Sequence, residues 1–355
     1  MNNVAQKIQA SSPDEVTIIV GGQRIEQFQA ESILLSIDNL GAGFSFTAPF
    51  FPDTKEYRDI FRPFTYQPCQ IYIGQTLKIN GTVEKIAPTS SETENTVNVQ
   101  GRSKTGVIVD CSFTSDGQKE FTQAGLEEIA TTVVAPFGLE VSFPDGAGAI
   151  FEQAGPDSPT TKVFDFLQNL ARQRGLLMGQ TANGQLLFRK PKTTGSPVAE
   201  LIEGQQGIII SAADYDGTGR FSLYEVYGQE PGKNDNFASL EDTSIPAYRP
   251  KAASANDTNQ GNIEDAAKWV AGGDIAAKVR LPLGYEGWLR PDGVIWSENE
   301  LILVTAPSLM VYNPTLFLIK SVTFNRQEST KTVSFDLTLP EAYTGKIPQR
   351  FPWDE

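Results

Sequence analysis

The chain has 355 residues, of which 39% are hydrophobic and 20% charged, and this length predicts roughly two to four domains of about 100–200 residues each. Its formal net charge of -14 argues against a surface that binds nucleic acid or an anionic membrane through Lys and Arg. The absence of histidine excludes His-dependent triads, zinc sites and acid–base catalysis, and leaves carboxylate chemistry or metal binding by oxygen ligands.

The first hundred residues are predicted to form β-strands. Val16–Val20 precedes a two-residue Gly21-Gly22 turn, and the segments RIEQF, SILLSID and GFSFTAPF follow. Apolar and polar residues alternate in 43–48 and again in 77–86, which indicates sheets with one buried face. A barrel or a sandwich is the expected closure.

The middle of the chain mixes helical and strand patterns. Apolar residues recur at helical spacing over 126–134, and Pro136 ends that run. Residues 176–178 and 186–188 are predicted strands, joined through Asn183-Gly184 as a type I′ hairpin. This part of the chain therefore predicts a small α+β domain.

A second helix is predicted just before that hairpin. Thr160 or Thr161 is available as its N-cap, and Gly175 is placed to end it. Its apolar face comprises Val163, Phe166, Leu167, Leu170 and Ala171.

Four cations in this region each have a local structural reason. Arg172 and Arg174 lie in the last helical turn, where positive charge favourably faces the helix dipole. Arg189 and Lys190 precede Pro191 and protect an edge strand. We interpret them as scaffold; the alternative is an anionic ligand bound by Arg172 and Arg174.

The next part of the chain contains a long polar stretch. Strands are predicted at 207–211 and 221–227, whereas 229–261 is rich in Asn, Asp, Ser and Pro without an apolar period. Such a stretch predicts a functional arm or local disorder. Asn262 is then expected to cap an Ala-rich helix that Gly272-Gly273 interrupts.

From Leu281 onward the pattern is again that of strands, and one hairpin repeats an earlier one. Residues 81–101 and 317–339 each read as an apolar strand, a Ser/Thr/Glu tip and an alternating strand containing T-V. Each is preceded by another strand and a turn of small residues. If this repeat is real, the chain carries two similar barrels, one near each end.

Four segments of the chain share the pattern of a known family, namely 97–112, 126–141, 162–191 and 287–307. In this order along the chain, they resemble the baseplate hub proteins of contractile-tailed phages. The similarity is to the tail protein of Mu-like phages in particular, with the late-control tail proteins of P2-like phages as relatives. It spans about Thr82 to Pro340, and no single segment is a catalytic signature.

The resemblance implies a mainly β fold with α+β parts, consisting of two similar β-barrel (tube-type) domains and two smaller α/β domains. The implied boundaries are residues 1–107 for the first barrel, 108–196 for an α+β domain, 197–225 with 300–343 for the second barrel, and 226–299 with 344–355 for an inserted peripheral domain.

The implied function is a structural one, without an enzyme activity, catalytic residues, a cofactor or a metal. Three copies would form a homotrimeric, pseudo-sixfold ring between the tail tube and the central tail spike protein, in contact with other baseplate proteins. Phage DNA would pass through without specific binding, helped by the acidic charge. The expected place is the virion tail baseplate, assembled in the bacterial host cytoplasm, with no membrane anchor.

Two other functions compete with this interpretation. A wall-degrading hydrolase would need two carboxylates about 5–10 Å apart, and no signature places such a pair. A glycan-binding β-module would use aromatic platforms. The chain offers four tryptophans for that role: Trp269, Trp288, Trp296 and Trp353.

Two further groups of side chains are interpreted without a binding or catalytic role. Asp214 and Asp216 alternate before Gly217, but the remaining ligands of an EF-hand loop are absent, so a turn is favoured over a metal site. Cys69 and Cys111 are too few for a disulfide framework and are expected to be reduced thiols.

Overall fold

A computed structural model describes residues 12–37, 39–115, 117–158, 160–210, 212–228, 237–254, 263–344, 346–348 and 350–354. The mainly β class is confirmed, and one sheet of fourteen strands runs through both ends of the chain. Among the described residues, no helix combines the length and the apolar composition needed to cross a membrane.

The N-terminal half of the large sheet is an antiparallel array in the order β3-β4-β7-β6-β5-β1-β2. The tight β1–β2 turn places both Gly21 and Gly22 at positive φ, as predicted. The elements are β1 (Val16–Val20), β2 (Gln23–Ile25), β3 (Ala30–Ser36), β4 (Gly43–Pro49), α1 (Lys55–Ile60), β5 (Pro68–Ile73), β6 (Thr76–Ser90) and β7 (Asn95–Ser103).

A separate α+β unit follows with its own apolar core. Its two main helices bury the predicted apolar faces, and β9 adds in parallel to the antiparallel pair of β11 and β12. The elements are α2 (Val107–Asp110), β8 (Phe121–Ala124), α3 (Leu126–Val134), β9 (Val141–Ser142), β10 (Phe151–Ala154), α4 (Val163–Arg172), β11 (Leu177–Gln180) and β12 (Leu186–Arg189).

The C-terminal half adds the remaining strands of the large sheet and a three-stranded sheet covered by α5. The elements are β13 (Glu200–Ile202), β14 (Ile208–Ile210), β15 (Asp214–Tyr215), β16 (Leu223–Tyr227), β17 (Phe237–Glu241), β18 (Pro250–Ser254), α5 (Ile263–Ala277), β19 (Val279–Glu286), β20 (Leu301–Ala306), β21 (Val311–Gln327) and β22 (Thr330–Thr338).

Two local predictions in the α+β unit are wrong. The N-cap of α4 is Lys162, and Thr161 instead accepts a hydrogen bond from the Ser158 amide. The turn between β11 and β12 is not type I′, which needs positive φ at both central residues. Only Gly184 has positive φ, and its amide donates to the Thr181 carbonyl at 2.9 Å, so the connection is a longer loop.

Two predictions in the peripheral part are also wrong. The helix α5 continues through Gly272-Gly273, because its small residues pack closely on the 340–343 segment and this packing offsets the low helix propensity of glycine. The polar stretch 229–261 contains two strands, β17 and β18, whose short exposed sequences carry no clear alternation. Residues 229–236 and 255–262, including the predicted N-cap Asn262, lie outside the described residues.

The predicted hairpin repeat is confirmed in the strand pairing. The β6–β7 register shifts between Val83 and Lys85, and the β21–β22 register shifts at the same place in the hairpin, between Ile319 and Ser321. Around these hairpins, the order β3-β4-β7-β6-β5-β1 corresponds to β14-β19-β22-β21-β20-β13, with β15 extending β14 along β19. The outermost pair differs, since β1 is antiparallel to β5 and β13 is parallel to β20.

The pairings of the described strands form an open path and close neither half into a barrel. The strand β19 lies within the predicted insertion 226–299, yet it pairs with β22 in the large sheet. It occupies the position in the C-terminal half that β4 occupies in the N-terminal half.

Candidate functional site: the joint between the halves and its open counterpart

The two halves are joined by strand pairing. The strand β3 of the N-terminal half pairs antiparallel with residues 321–327 of β21 in the C-terminal half. The Ile37 amide extends this ladder by donating to the Lys320 carbonyl at 3.0 Å. The Ile37 side chain is fully buried and packs with Leu301 and Leu318, so the joint has an apolar end.

A buried ion pair crosses the joint. Glu31 and Arg326 are directly opposite in the ladder, and Glu31 Oε2 lies 2.7 Å from Arg326 Nη2. The Glu31 side chain is only 1% exposed, and burial raises its pKa to about 7, although the positive charges of Arg326 and Lys331 act in the opposite direction. The Arg326 guanidinium also lies over the Phe28 ring, 4.4 Å from its centroid.

The turn end of β22 adds a second polar contact across the joint. Lys331 Nζ lies 2.8 Å from Asp14 Oδ2 and 5.3 Å from the centroid of the Trp288 ring. The Trp288 indole donates to the carbonyls of Asn325 and Thr332 at 3.2 and 3.1 Å, which fixes it beneath the β21–β22 hairpin. The aromatic core therefore supports the edge that β3 binds.

The counterparts of this joint on the outer sides of the chain are open. The hairpin repeat makes residues 85–90 of β6 the counterpart of the β21 edge, and makes β14 together with β15 the counterpart of β3. Among the described residues, β14 pairs only with β19, and 85–90 pair only with β7. One side of the chain thus presents a free β3-type strand, and the other presents a free β21-type edge.

Pro88 limits what the free β6 edge can bind. Lys320 directs its carbonyl to β3, so even-numbered β21 residues direct their backbone groups across the joint. Phe324 is one of these even-numbered residues, and its counterpart on β6 is Pro88. Proline has no amide hydrogen to donate. The free edge therefore offers fewer hydrogen bonds than the edge that is already paired.

Exposed aromatic side chains lie beside this free edge. In the connection from β4 to β5, the exposed fractions are 48% for Phe51, 90% for Phe64 and 62% for Tyr66. Phe64 and Tyr66 also have φ of 61° and 48°, a left-handed conformation that is uncommon for aromatic residues.

The two arginines considered for an anionic ligand behave differently. Arg174 donates to the carbonyls of Ala149, Gln173 and Ile150 and lies 3.6 Å from the Phe151 ring centroid, which gives it a structural role. Burial lowers its pKa. Arg172 is exposed at the end of α4.

The other candidate residues also take up structural positions. Asp216 accepts hydrogen bonds from the Thr218 amide at 2.8 Å and from Lys278 at 3.3 Å, while Asp214 lies exposed in β15. In the described part of the chain, no three His, Cys, Asp or Glu side chains form a group suited to a metal ion. Both cysteines are free thiols; Cys69 is buried, and burial raises its pKa.

Sequence reasoning missed Glu31, Arg326, Phe64 and Tyr66. The first two meet only because β3 pairs with a strand almost three hundred residues away, and nothing local marks either of them. A usable signal did exist for the aromatic residues, since the segment FPDTKEYRDIFRPFTY combines turn residues with several aromatic ones.

One family model and one curated relative with a similar sequence are baseplate hub proteins. Residues 105–190 match the family described as "Baseplate hub protein gp44-like, second domain". The chain is 23% identical over 339 residues to the baseplate hub protein gp44 of Escherichia phage Mu, which covers 89% of this chain and 86% of that protein. The resemblance to Mu-like baseplate hub proteins is thereby confirmed.

Solved structures give the same picture of the fold. The 43 kDa tail protein of prophage MuSo2 from Shewanella oneidensis superposes with a TM-score of 0.79 at 24% identity, covering 94% of this chain and 100% of that one. A tail protein from Neisseria meningitidis MC58 superposes with a TM-score of 0.75 at 18% identity, covering 92% and 98%. The fold of these two tail proteins therefore extends over nearly the whole chain.

Proposed function

We propose that this chain is a structural hub protein in the baseplate of a phage or prophage contractile tail, and that three copies of it form a ring. The observation that carries the proposal is the strand joint that is used once inside the chain and left open at both outer sides. The two outer sides of the chain carry the two complementary partners of this strand joint, which favours head-to-tail assembly of copies. Such an assembly closes into a ring when the rotation from one copy to the next divides a full turn evenly.

The two equivalent halves explain why three copies suffice. Each copy supplies two similar units, so a threefold ring offers six similar positions to a sixfold tail tube and three to a threefold tail spike. In this ring, the segment 208–215 of one copy lies along 85–90 of the next, as β3 lies along β21 within the chain. We call this predicted contact between copies the seam.

The domain arrangement follows from the same idea. In the ring, each half would form a barrel-like unit of the tube type, one from residues 1–107 and the other from 197–225 with 300–343, although the pairings of the described strands within a single chain do not close either half. The units 108–196 and 226–299 with 344–355 lie at the periphery, except that β19 belongs with the second barrel because it pairs with β22.

The acidic composition suits a passage for DNA. The net charge of -14 would repel phosphates along the ring opening, so the genome would slide through without being bound. Assembly would take place in the host cytoplasm before the ring joins the virion tail. Basic residues lining the opening of the assembled ring would contradict this role.

In the part of the chain that the structure describes, neither rival function has a supporting observation. Trp288 and Trp296 are fully buried, and Trp269 and Trp353 are partly buried, so none of the four presents an open platform for a sugar. The carboxylate whose pKa is raised to about 7 is Glu31, and it is paired with Arg326 in the joint.

The test is the mass of the purified chain in solution, measured by light scattering over a wide concentration range. The proposal predicts a species of three times 38.7 kDa at high concentration. Images of that species should show a ring with sixfold-like features. A chain that remains a monomer, alone and together with its spike protein, would refute the proposal.

A further inference from the structure

The connection between β4 and β5, residues 50–67, differs from its counterpart in the other half. That counterpart joins β19 to β20 and covers 287–300. Its two tryptophans, Trp288 and Trp296, are fully buried, whereas Phe64 and Tyr66 point into solvent. The equivalent connections therefore differ: the aromatic side chains are buried in the C-terminal half and exposed in the N-terminal half.

Tyr66 occupies a defined place at the free β6 edge. It stands two residues before β5 with φ 48°, and Asn299 stands two residues before β20 with φ 62°. The carbonyls of the following residues, Gln67 and Glu300, accept from the amides of Val83 and Ile319 at 2.9 and 2.8 Å. Tyr66 therefore lies where the free edge begins.

At the joint inside the chain, the position equivalent to Tyr66 is covered. The Asn299 side chain accepts from the Lys192 amide at 2.8 Å, and neighbouring Glu298 pairs with Arg189 at 2.9 Å. Phe64 and Tyr66 have no comparable cover among the described residues. A strained backbone at two exposed aromatic residues is expected to be retained for a function.

The joint also indicates what faces this connection. Leu35 lies opposite Val322 in the joint, and its counterpart Tyr215 would lie opposite Ile86 near the start of the free β6 edge. The Tyr215 hydroxyl donates to the Leu309 carbonyl, so the start of β21 lies beside this end of the seam. There, Met310 and Tyr312 are 53% and 47% exposed.

We propose that Phe64 and Tyr66 pack against Met310 and Tyr312 of the next copy of this chain, at one end of the seam. This inference rests on the proposed ring and adds an apolar contact to its hydrogen-bonded strands. Apolar surface is present on both sides, and aromatic anchors buried in this way carry much of the binding free energy of an interface.

The experiment compares paired substitutions by the concentration at which the trimer dissociates. Phe64→Asn with Tyr66→Asn removes one side of the contact, and Met310→Asn with Tyr312→Asn removes the other. Asparagine tolerates positive φ, which Phe64, Tyr66 and Met310 all have, so the backbone conformation is preserved. Tyr248→Asn is the matched control, since Tyr248 is 80% exposed in the connection between β17 and β18.

Each double variant should raise the concentration at which the trimer dissociates by at least about tenfold, because removing anchor side chains from an interface typically weakens binding by this much. The chain with all four substitutions should show a smaller fold-change in the dissociation concentration than the product of the two separate fold-changes, since each double variant removes the same contact. The Tyr248→Asn trimer should dissociate at the same concentration as the unchanged trimer. All variants should unfold at the same midpoint temperature as monomers.

The outcomes separate the two proposals. If either double variant dissociates at the same concentration as the unchanged trimer, the proposed aromatic contact is wrong and the proposed ring is unaffected. If a double variant loses only its binding to the spike protein, the aromatic residues bind the spike and not the next copy. Independent, multiplicative effects would also overturn the pairing. An unchanged chain that is monomeric at every concentration would overturn both proposals.

Discussion

Glu31 on β3 and Arg326 on β21 are directly opposite each other, with 2.7 Å between their charged groups, and they link the two halves of the chain. Their counterparts at the outer sides are Ile210 and Ser90, which carry no charge. The joint inside the chain therefore contains a buried ion pair that the predicted seam lacks.

This ion pair predicts a pH dependence of stability. The pKa of Glu31 is about 7 in the folded chain, against an ordinary value of 4.5, so the folded state binds the proton more tightly than the unfolded state. The free energy of unfolding should then fall as the pH rises from about 4.5 to 7, by up to about 3 kcal/mol. Denaturant unfolding at several pH values measures it.

Glu31→Gln should flatten the decline over this pH range, because the titrating group is gone. Glu328→Gln is the control, since Glu328 is an exposed carboxylate at the neighbouring turn and should leave the slope unchanged. A Glu31→Gln chain that keeps the full slope would show that another group causes it.

Gly101 on β7 is predicted to be intolerant of any side chain. A Cβ there would lie 2.1 Å from the Thr82 carbonyl oxygen and 2.4 Å from the Phe44 ring, beside the register shift of the β6–β7 hairpin. Gly101→Ala should lower the free energy of unfolding by about 1–3 kcal/mol. Gly43→Ala on the adjacent strand meets nothing within 4 Å and should be nearly neutral. Equal stability of the two variants would contradict the packing described for this hairpin.

Pro88 is predicted to weaken the seam. Pro88→Thr supplies an amide hydrogen directed at the next copy, and one added hydrogen bond of about 1 kcal/mol should strengthen each contact roughly fivefold. Light scattering on dilution should find the trimer persisting to lower concentration. Pro246→Thr, at an exposed turn of the peripheral part, should change nothing. A Pro88→Thr trimer no more stable than the original would place this edge outside the interface.

The sequence predicted those parts of the fold that local patterns specify. The strands around Gly21-Gly22, the helix that begins at Leu126 and the repeated hairpin all follow from alternation, helical spacing and turn residues. The helix through Gly272-Gly273 could not be predicted, because distant packing outweighs propensity there. The meeting of Glu31 and Arg326 depends on a pairing between the chain's two ends, which no local pattern encodes.

The most direct test of the central claim is a disulfide placed across the seam. Ser90→Cys with Ile210→Cys puts two thiols at positions that correspond to Arg326 and Glu31, which are opposite in the ladder and close enough for a disulfide. Cys111→Ser removes the partly exposed native thiol, and Cys69 remains buried. Under oxidation, we predict covalent species of two and three chains, ending at a closed trimer, and no bonding for either single variant. An absence of crosslinks, or a ladder that continues beyond three chains, would contradict the account.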